Sequence, residues 1–443
     1  MRIVTWLVLG AFPAIALGQG TSADGRRTDL AAFRRDFFTM DSSYSAANRA
    51  TAVSRLARLE ADAPGLTAVQ FELELARIVA LADNGHTNSP ATLRSRRYNR
   101  IPLRLIPLGE DFYVARADTS LEDLLGARLV AIDGKPIRDV RLIGHSLWGG
   151  TPAWRDRQLP FLLESPEQMQ ALGVASQPSS ATYRFELRGR TIERRVAARP
   201  PEAQREAAGT SRWLYADPLT TDDGAWKHVA SPARAPWAFQ EIQKLFRTRV
   251  DTALDAVVVQ MRANFSGASQ DIGEFMRAAT DEIRRVRPRH IVLDIRTNGG
   301  GDLNNTRDFV KSLPQLVPGQ IFVLTSPWTF SAAISTTGYL KQAGGDRVTI
   351  VGEMVGDRLE FWAEGRLARL PASGAAMSYS TQRHDYKTGC KPYTDCHGPV
   401  VRNPIAVPSL APDILAPITI ESLIAGRDPG MEAVQAATRK GRG

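Results

Sequence analysis

Two short segments of this sequence carry residue types suited to acyl transfer. The first is Asp294-Ile295-Arg296-Thr297-Asn298-Gly299-Gly300-Gly301-Asp302, at the end of an apolar run from His290 to Ile295. Consecutive glycines at a strand end let the backbone approach a bound group closely and turn its N–H groups inward, as an oxyanion hole or an anion cradle requires. A tight turn is the plainer alternative. No Lys-Ser or Lys-Thr pair directly follows the glycines, so a phosphate loop is not indicated. The second segment is Leu324-Thr325-Ser326-Pro327-Trp328-Thr329-Phe330-Ser331-Ala332-Ala333, which sets Ser331 between a predicted strand and a predicted helix. A hydroxyl there faces the open strand ends, and the adjacent N–H groups carry the positive end of the helix dipole, which favours a negative tetrahedral intermediate. A serine in that place is also an ordinary helix cap.

The elements that must hold these segments alternate. Ala256 to Met261 reads as a buried strand, and Asp271 to Val286 as an amphipathic helix with Ile272, Phe275, Met276, Ala279, Ile283 and Val286 on one face and a capping pair in Asp271 and Glu274. A strand over His290 to Ile295, a helix through Phe309 and Leu313, a strand over Ile321 to Leu324, a helix over Ser331 to Gln342 and a strand over Val348 to Val351 follow. Strands alternating with helices predict a layered α/β core with parallel pairing. Upstream, Leu30, Phe33 and Phe37, then Leu56 and Leu59, then Val69, Leu73, Ala76 and Ala80, recur at helical spacing and predict a small helical cap that ends where Asn84-Gly85 breaks the helix. From about Ile101 to Val196 the pattern is strand-like, and Leu125 to Ile137 forms a strand, an Asp133-Gly134 turn and a second strand that resembles the middle of a PDZ domain. Ala197 to Gly209, with Pro200-Pro201, reads as a linker.

Composition limits the rest. At 443 residues, 43% hydrophobic and 23% charged, the chain has room for two or three globular domains, which excludes disordered and fibrous classes. Arg2, the apolar stretch Ile3 to Leu17 and the small residues around Gly18 read as a secretory signal over 1–18, with the mature chain starting near Gln19. The stretch is shorter than the roughly 20 apolar residues that span a bilayer, so no stable membrane insertion is expected. Cys390 and Cys396 are the only cysteines and are expected to pair, pinning a local loop. His397 and His384 lie near them, which opens a metal reading, but four-ligand zinc sites show two paired clusters, so no metal is expected. The net charge of +9 is spread over many arginines without a nucleic-acid motif, and no nucleic-acid partner or cofactor is expected. The oligomeric state stays open.

Together these segments resemble the C-terminal processing (tail-specific) serine protease family, whose crotonase-like core also underlies tricorn protease and the interphotoreceptor retinoid-binding protein. The resemblance rests on Asp294 to Gly301, on Thr329-Phe330-Ser331-Ala332, on Val351-Gly352-Glu353, and on Ala411-Pro412-Asp413-Ile414 with Gly426-Arg427-Asp428-Pro429 near the end. It implies an α/β fold with a crotonase-like (Clp protease/crotonase) layered catalytic core over 251–434, a helical cap over 27–95, a β-rich, PDZ-like segment over 100–196, a connecting region over 197–250 and a flexible tail over 435–443. It also makes Ser331 the nucleophile, with Gly300 and Ala332 or their neighbours as the oxyanion donors. The serine/lysine branch carries its base after Val-Gly-Glu, yet Val351 to Arg358 holds no lysine, and an arginine cannot serve as the base. Asp83-Asn84-Gly85-His86-Thr87 resembles instead the histidine element of the tricorn-like serine/histidine branch, which makes His86 the base. The acid that would orient it is open among Glu364, Glu360 and Asp83.

The expectation is an exported, periplasmic or secreted serine peptidase acting on peptides or unfolded proteins. The alternatives are a catalytically silent protein that binds peptide or apolar ligand on the same fold and, against the export signal, an acyl-CoA enzyme of the wider crotonase-like group.

Overall fold

A computed structural model describes residues 22–201, 209–218 and 225–440 of the chain. The expected signal over 1–18 lies outside the described residues. The architecture is mixed α/β, with several sheets. Among the described residues, no helix is long and apolar enough to cross a membrane.

The segments predicted to alternate build one six-stranded sheet. Across it the order is Ile414–Leu415, Val348–Gly352, Ile321–Thr325, His290–Asp294, Ala256–Met261 and Phe246–Asp251. Neighbours run parallel except at the Phe246–Asp251 edge. Because successive strand residues point to opposite faces, Val257, Val259, Ile291, Leu293, Ile321 and Val323 pack with the helices Ile272–Val286, Leu303–Leu316 and Ala332–Gly344. Val258, Val292, Phe322 and Leu324 pack instead with Met431 and Val434 of the C-terminal helix Pro429–Lys440. Burial on both faces is why these strands read as continuous apolar runs.

Several boundaries differ from the sequence reading. The sheet begins at Phe246, inside the expected connecting region, because Arg247 and Arg249 give that edge strand a polar look; Arg247 is buried and donates to the carbonyls of Trp237 and Gln240. Much of the connecting region is core, with Trp213, Leu214, Tyr215 and Phe239 packed on Trp328, although these scattered aromatics show no period. The chain end is helical through Lys440 rather than a tail from 435.

The 100–196 region holds an antiparallel sheet ordered Leu103–Leu108, Asp111–Asp118, Arg128–Ile132, Ser180–Leu187 and Arg190–Ala197. Asp133 and Gly134 turn the chain at positive φ, and the Asp133 carboxylate accepts from the Ser176 and Thr182 amides. Between Ile137 and Ala171, however, lie four helices, three of which start on Pro152, Pro160 and Pro166. Proline suits the first helical position, where its missing N–H costs nothing. The N-terminal helices Ala23–Ala32, Ala46–Asp62 and Ala68–Ala80 share their core with Ala368, Leu370, Ala375 and Met377, from a hairpin that follows the parallel strands in sequence. The cap is therefore built from two segments that lie far apart in the sequence.

One buried ion cluster ties the C-terminal helix to the glycine segment. Arg296 donates through Nε and Nη2 to Asp294, at 3.0 and 2.9 Å, and through Nη1 and Nη2 to Asp428, at 2.7 and 2.9 Å. Burial works against the Asp294 charge, but the Arg296 guanidinium holds that carboxyl below the usual range. Both side chains are 3% exposed. Removing one partner of such a cluster strands the others without water. Arg296→Met is expected to lower unfolding free energy by about 3–5 kcal/mol, read from urea denaturation; a loss below about 1 kcal/mol would mean that the cluster holds little together.

Candidate active site

The loops that follow three adjacent parallel strands meet at one end of the sheet. After His290–Asp294 comes the glycine segment, and after Ile321–Thr325 comes the segment leading to Ser331. Thr329 Oγ1 donates to the Ile295 carbonyl at 2.9 Å, the Phe330 amide donates to the Asn298 carbonyl at 3.0 Å, and Ser326 Oγ donates to the Arg296 carbonyl. The third loop, after Val348–Gly352, is held to the second by the Glu353 and Gly356 amides, which donate to the Thr325 and Thr329 carbonyls at 3.1 and 2.8 Å.

Ser331 occupies the N-cap position of Ala332–Gly344, yet its side chain makes no capping hydrogen bond. Its backbone has φ 55° and ψ −127°, a conformation that favours glycine. A serine held there stores roughly 1–3 kcal/mol of strain. Capping, the plain reading of this serine, does not describe its hydroxyl. The Ala332 amide, first in the helix, has no hydrogen-bond partner among the described residues.

The glycine loop departs from expectation in one respect. The Gly300 amide donates to Asn298 Oδ1 at 2.9 Å, so this expected oxyanion donor is already engaged. Gly300 serves the site through its missing side chain: with φ 103°, a Cβ there would lie 2.6 Å from Ser331 Cβ and 3.0 Å from the Ala332 nitrogen. The amides of Gly299 and Gly301 have no partner among the described residues. Asn298 in turn donates to Asn264 Oδ1 at 2.8 Å, and Asn264 donates to the Ala332 carbonyl, Thr306 and Thr336. Both asparagines are fully buried, and their network locks the glycine loop to the Ser331 helix. Nothing in the periodicity around Asn264 announces this.

His86 arrives from the loop after the Ala68–Ala80 helix. Its ring stacks between Phe330, at 4.4 Å, and Phe361, at 5.1 Å, which puts it beside the residue that precedes Ser331. Both ring nitrogens are buried and lack hydrogen-bond partners. Nδ1 lies 3.7 Å from Oδ2 of Asp357, a side chain 1% exposed whose Oδ2 also lacks a partner. Gly85 permits the approach, since a Cβ there would lie 2.9 Å from that oxygen and 3.1 Å from the Phe330 ring.

The three acids singled out in the sequence are committed elsewhere. Asp83 pairs with Arg155 and Arg358, both at 2.9 Å, Glu360 pairs with Arg383, and Glu364 sits 3.1 Å from His384. The acid that faces His86 Nδ1 is Asp357, from the segment Val351 to Arg358 that lacks a lysine. Its place beside His86 depends on how that loop folds over Phe330, which linear spacing does not encode. Cys390 and Cys396 form the expected disulfide.

No protein-family model and no curated protein matches the sequence. Among solved structures, mature CPAF complexed with lactacystin matches with a TM-score of 0.58 and 13% identity, over 95% of this chain and 98% of that one. This chain shares the fold of mature CPAF. A photosystem II D1 C-terminal processing protease matches with a TM-score of 0.41 and 15% identity, over 93% of this chain and 96% of that chain.

Beside the site, a cavity of about 390 Å³ opens between the Pro107 to Glu110 turn and the loops carrying Pro327, Trp328, Glu353 and Met354. Burial, the largest influence, pushes the Glu353 carboxyl from 4.5 up to about 7, against the pull of the Ile418 backbone and Arg296. A carboxyl raised in the folded state stabilises below pH 4.5, and that stability is lost as pH rises through about 7. The difference corresponds to about 3 kcal/mol. Glu353→Gln is therefore expected to flatten the fall in unfolding free energy between pH 4.5 and 8, measured by urea denaturation across that range; an unchanged slope would contradict it. Separately, Ser331→Gly should exceed Ser331→Ala in stability by about 1 kcal/mol, since glycine relieves the positive φ and alanine does not; equal stabilities would show that the backbone there is unstrained.

Proposed function

We propose that this protein is an exported serine peptidase that hydrolyses peptides or unfolded proteins through an acyl-enzyme on Ser331, with His86 as general base and Asp357 as the acid that orients it. The observation that carries the reading is the Ser331 hydroxyl, free of any capping bond, on a strained turn at a helix N-terminus beside a glycine loop, with the ring of His86, whose buried nitrogens have no hydrogen-bond partner, stacked on the preceding Phe330. The shared fold with mature CPAF supports it, as do the sequence elements that resemble the C-terminal processing family. The pairing of serine with histidine favours the tricorn-like branch. On this reading the six-stranded core is the crotonase-like layer, and the antiparallel region around the Asp133-Gly134 turn is the PDZ-like segment. The Cys390–Cys396 disulfide supports an oxidising compartment, in line with a signal over 1–18.

In the reaction, Ser331 Oγ attacks the peptide carbonyl carbon and its proton passes to His86 Nε2, while Asp357 faces Nδ1 and stabilises the imidazolium that forms. The Ala332 amide and a glycine-loop amide other than that of Gly300 hold the oxyanion, each worth about 3 kcal/mol of barrier. His86 then returns the proton to the departing amine. Water deacylates Ser331 by the same path in reverse.

The test is hydrolysis of an unfolded protein and a peptide pool by the mature chain and its variants. Ser331→Ala and His86→Ala are each expected to lower kcat by about 10⁴-fold or more, and Asp357→Asn by about 10²- to 10⁴-fold, with folding retained by circular dichroism. A wild type as inert as Ser331→Ala over a broad pH range would replace the peptidase with a binding protein on the same fold. Full activity in Asp357→Asn would remove that residue from its role.

A further inference from the structure

Two histidines that the reaction does not use converge with a carboxylate one ring away from His86. Phe361 stacks on His86 by one face and on His384 by the other, at 5.1 and 4.9 Å, and His384 stacks on His397 at 5.0 Å. Glu364 Oε1 lies 3.1 Å from His384 Nε2 and 3.8 Å from His397 Nε2, and the three ligand atoms all fall within 4.8 Å of one another. Two ligands bound 2.0–2.1 Å from a tetrahedral ion stand about 3.4 Å apart, and the two distances to Glu364 bracket that value.

The far side of each imidazole is already occupied. His397 Nδ1–H donates to Gln382 Oε1 at 2.6 Å, which leaves its Nε2 as a lone pair turned toward Glu364. His384 Nδ1 lies 2.8 Å from Tyr386 Oη, itself 2.6 Å from Ser335 Oγ, while His384 Nε2 donates to Glu364 Oε1 at 3.1 Å; because Tyr386 Oη can also accept, a tautomer with its proton on Nδ1 turns the Nε2 lone pair toward Glu364. In that tautomer two imidazole lone pairs and a carboxylate converge, and an ion takes the place of the proton that His384 Nε2 otherwise shares with Glu364. Outer partners on Nδ1 are the usual means by which ligating histidines are oriented.

The backbone holds the three in place. His384 lies in the strand Gln382–Asp385, paired across from Phe361 in the strand Glu360–Ala363, and Glu364 follows at φ 59°. The Cys390–Cys396 loop returns the chain so that the His397 amide donates to the Arg383 carbonyl at 2.8 Å, which sets His397 beside His384. His384 is buried, while Glu364 is exposed enough for an ion to enter from solvent.

We propose that Glu364, His384 and His397 form a binding site for one divalent transition-metal ion of the zinc class, with a fourth position left to water. Two imidazoles and one carboxylate suit zinc in its open, three-ligand form better than the all-oxygen shells of calcium or magnesium. The sequence reading expected no metal, since the ligands are spread over three separate segments without a paired motif. Occupancy does not depend on the peptidase reading.

The test is zinc titration of the metal-stripped, tag-free, oxidised mature chain by calorimetry, with cobalt substitution read by its visible absorption. Expected are one ion per chain, no displacement by a large excess of magnesium, and at least a 100-fold loss of affinity in His397→Ala and in Glu364→Ala, while His86→Ala binds as wild type does. His397→Gln supplies the same comparison with less disturbance of the ring stack. Failure to bind zinc stoichiometrically, or equal binding by wild type and the His397 and Glu364 variants, would overturn the site. Hydrolysis by the same preparations separates the two ideas, because binding without turnover removes the peptidase and leaves the metal site standing.

Discussion

The buried guanidinium of Arg296 is the constraint on which most of this molecule turns. It sits just before the glycine loop, and its hydrogen bonds reach Asp294, the last residue of the preceding strand, and Asp428, at the start of the last helix. A charge so placed accepts few alternative geometries, because each lost bond leaves a carboxylate in a medium that solvates it poorly. The level at which the central strand ends is thereby fixed, and the glycine loop starts from a defined point. The cross-bonds from Thr329, Phe330 and Ser326 then carry that definition to the neighbouring loop and so to Ser331.

The buried asparagine pair adds a second level of definition. Asn264 and Asn298 use their amide groups to join the glycine loop to the helix behind Ser331. Polar groups without access to water are costly unless each is matched, and here the match selects a single arrangement of loop and helix. The strained turn at Ser331 persists because these neighbours over-determine it. Around His86 the means differ: flat rings on both sides set the plane of the imidazole, and its two buried nitrogens make no hydrogen bond.

How much of this was legible in the sequence depended on range. The parallel strands and their helices were, because burial on both sheet faces writes an apolar run and burial on one helix face writes a 3.6-residue period. Ser331, the glycine segment and His86 stood out through local residue types, and the structure brings them to one end of the sheet. Asp357 did not, since an aspartate after Val355-Gly356 looks like any turn residue until the loop is seen to fold over Phe330. The helices between Ile137 and Ala171 were hidden by their shortness and by prolines that read as breaks. Glu364, His384 and His397 converge only because a two-stranded ribbon and a disulfide loop fold together, and no spacing rule encodes that.

The cap built from two distant segments has a consequence for how this protein comes into being. Asp29 accepts from the amides of Ala372 and Ser373, the latter 344 residues away in sequence, and the N-terminal helices share their core with the same hairpin. During synthesis those helices emerge long before the surface that completes them, and contacts of such range form late and slowly. His86 is carried by the last of these helices and Asp357 by a loop made after most of the core, so neither reaches the other in a nascent chain. Whatever chemistry the site performs is thus withheld until the chain has been made through Asp357 and the hairpin that follows it, a delay that topology itself imposes.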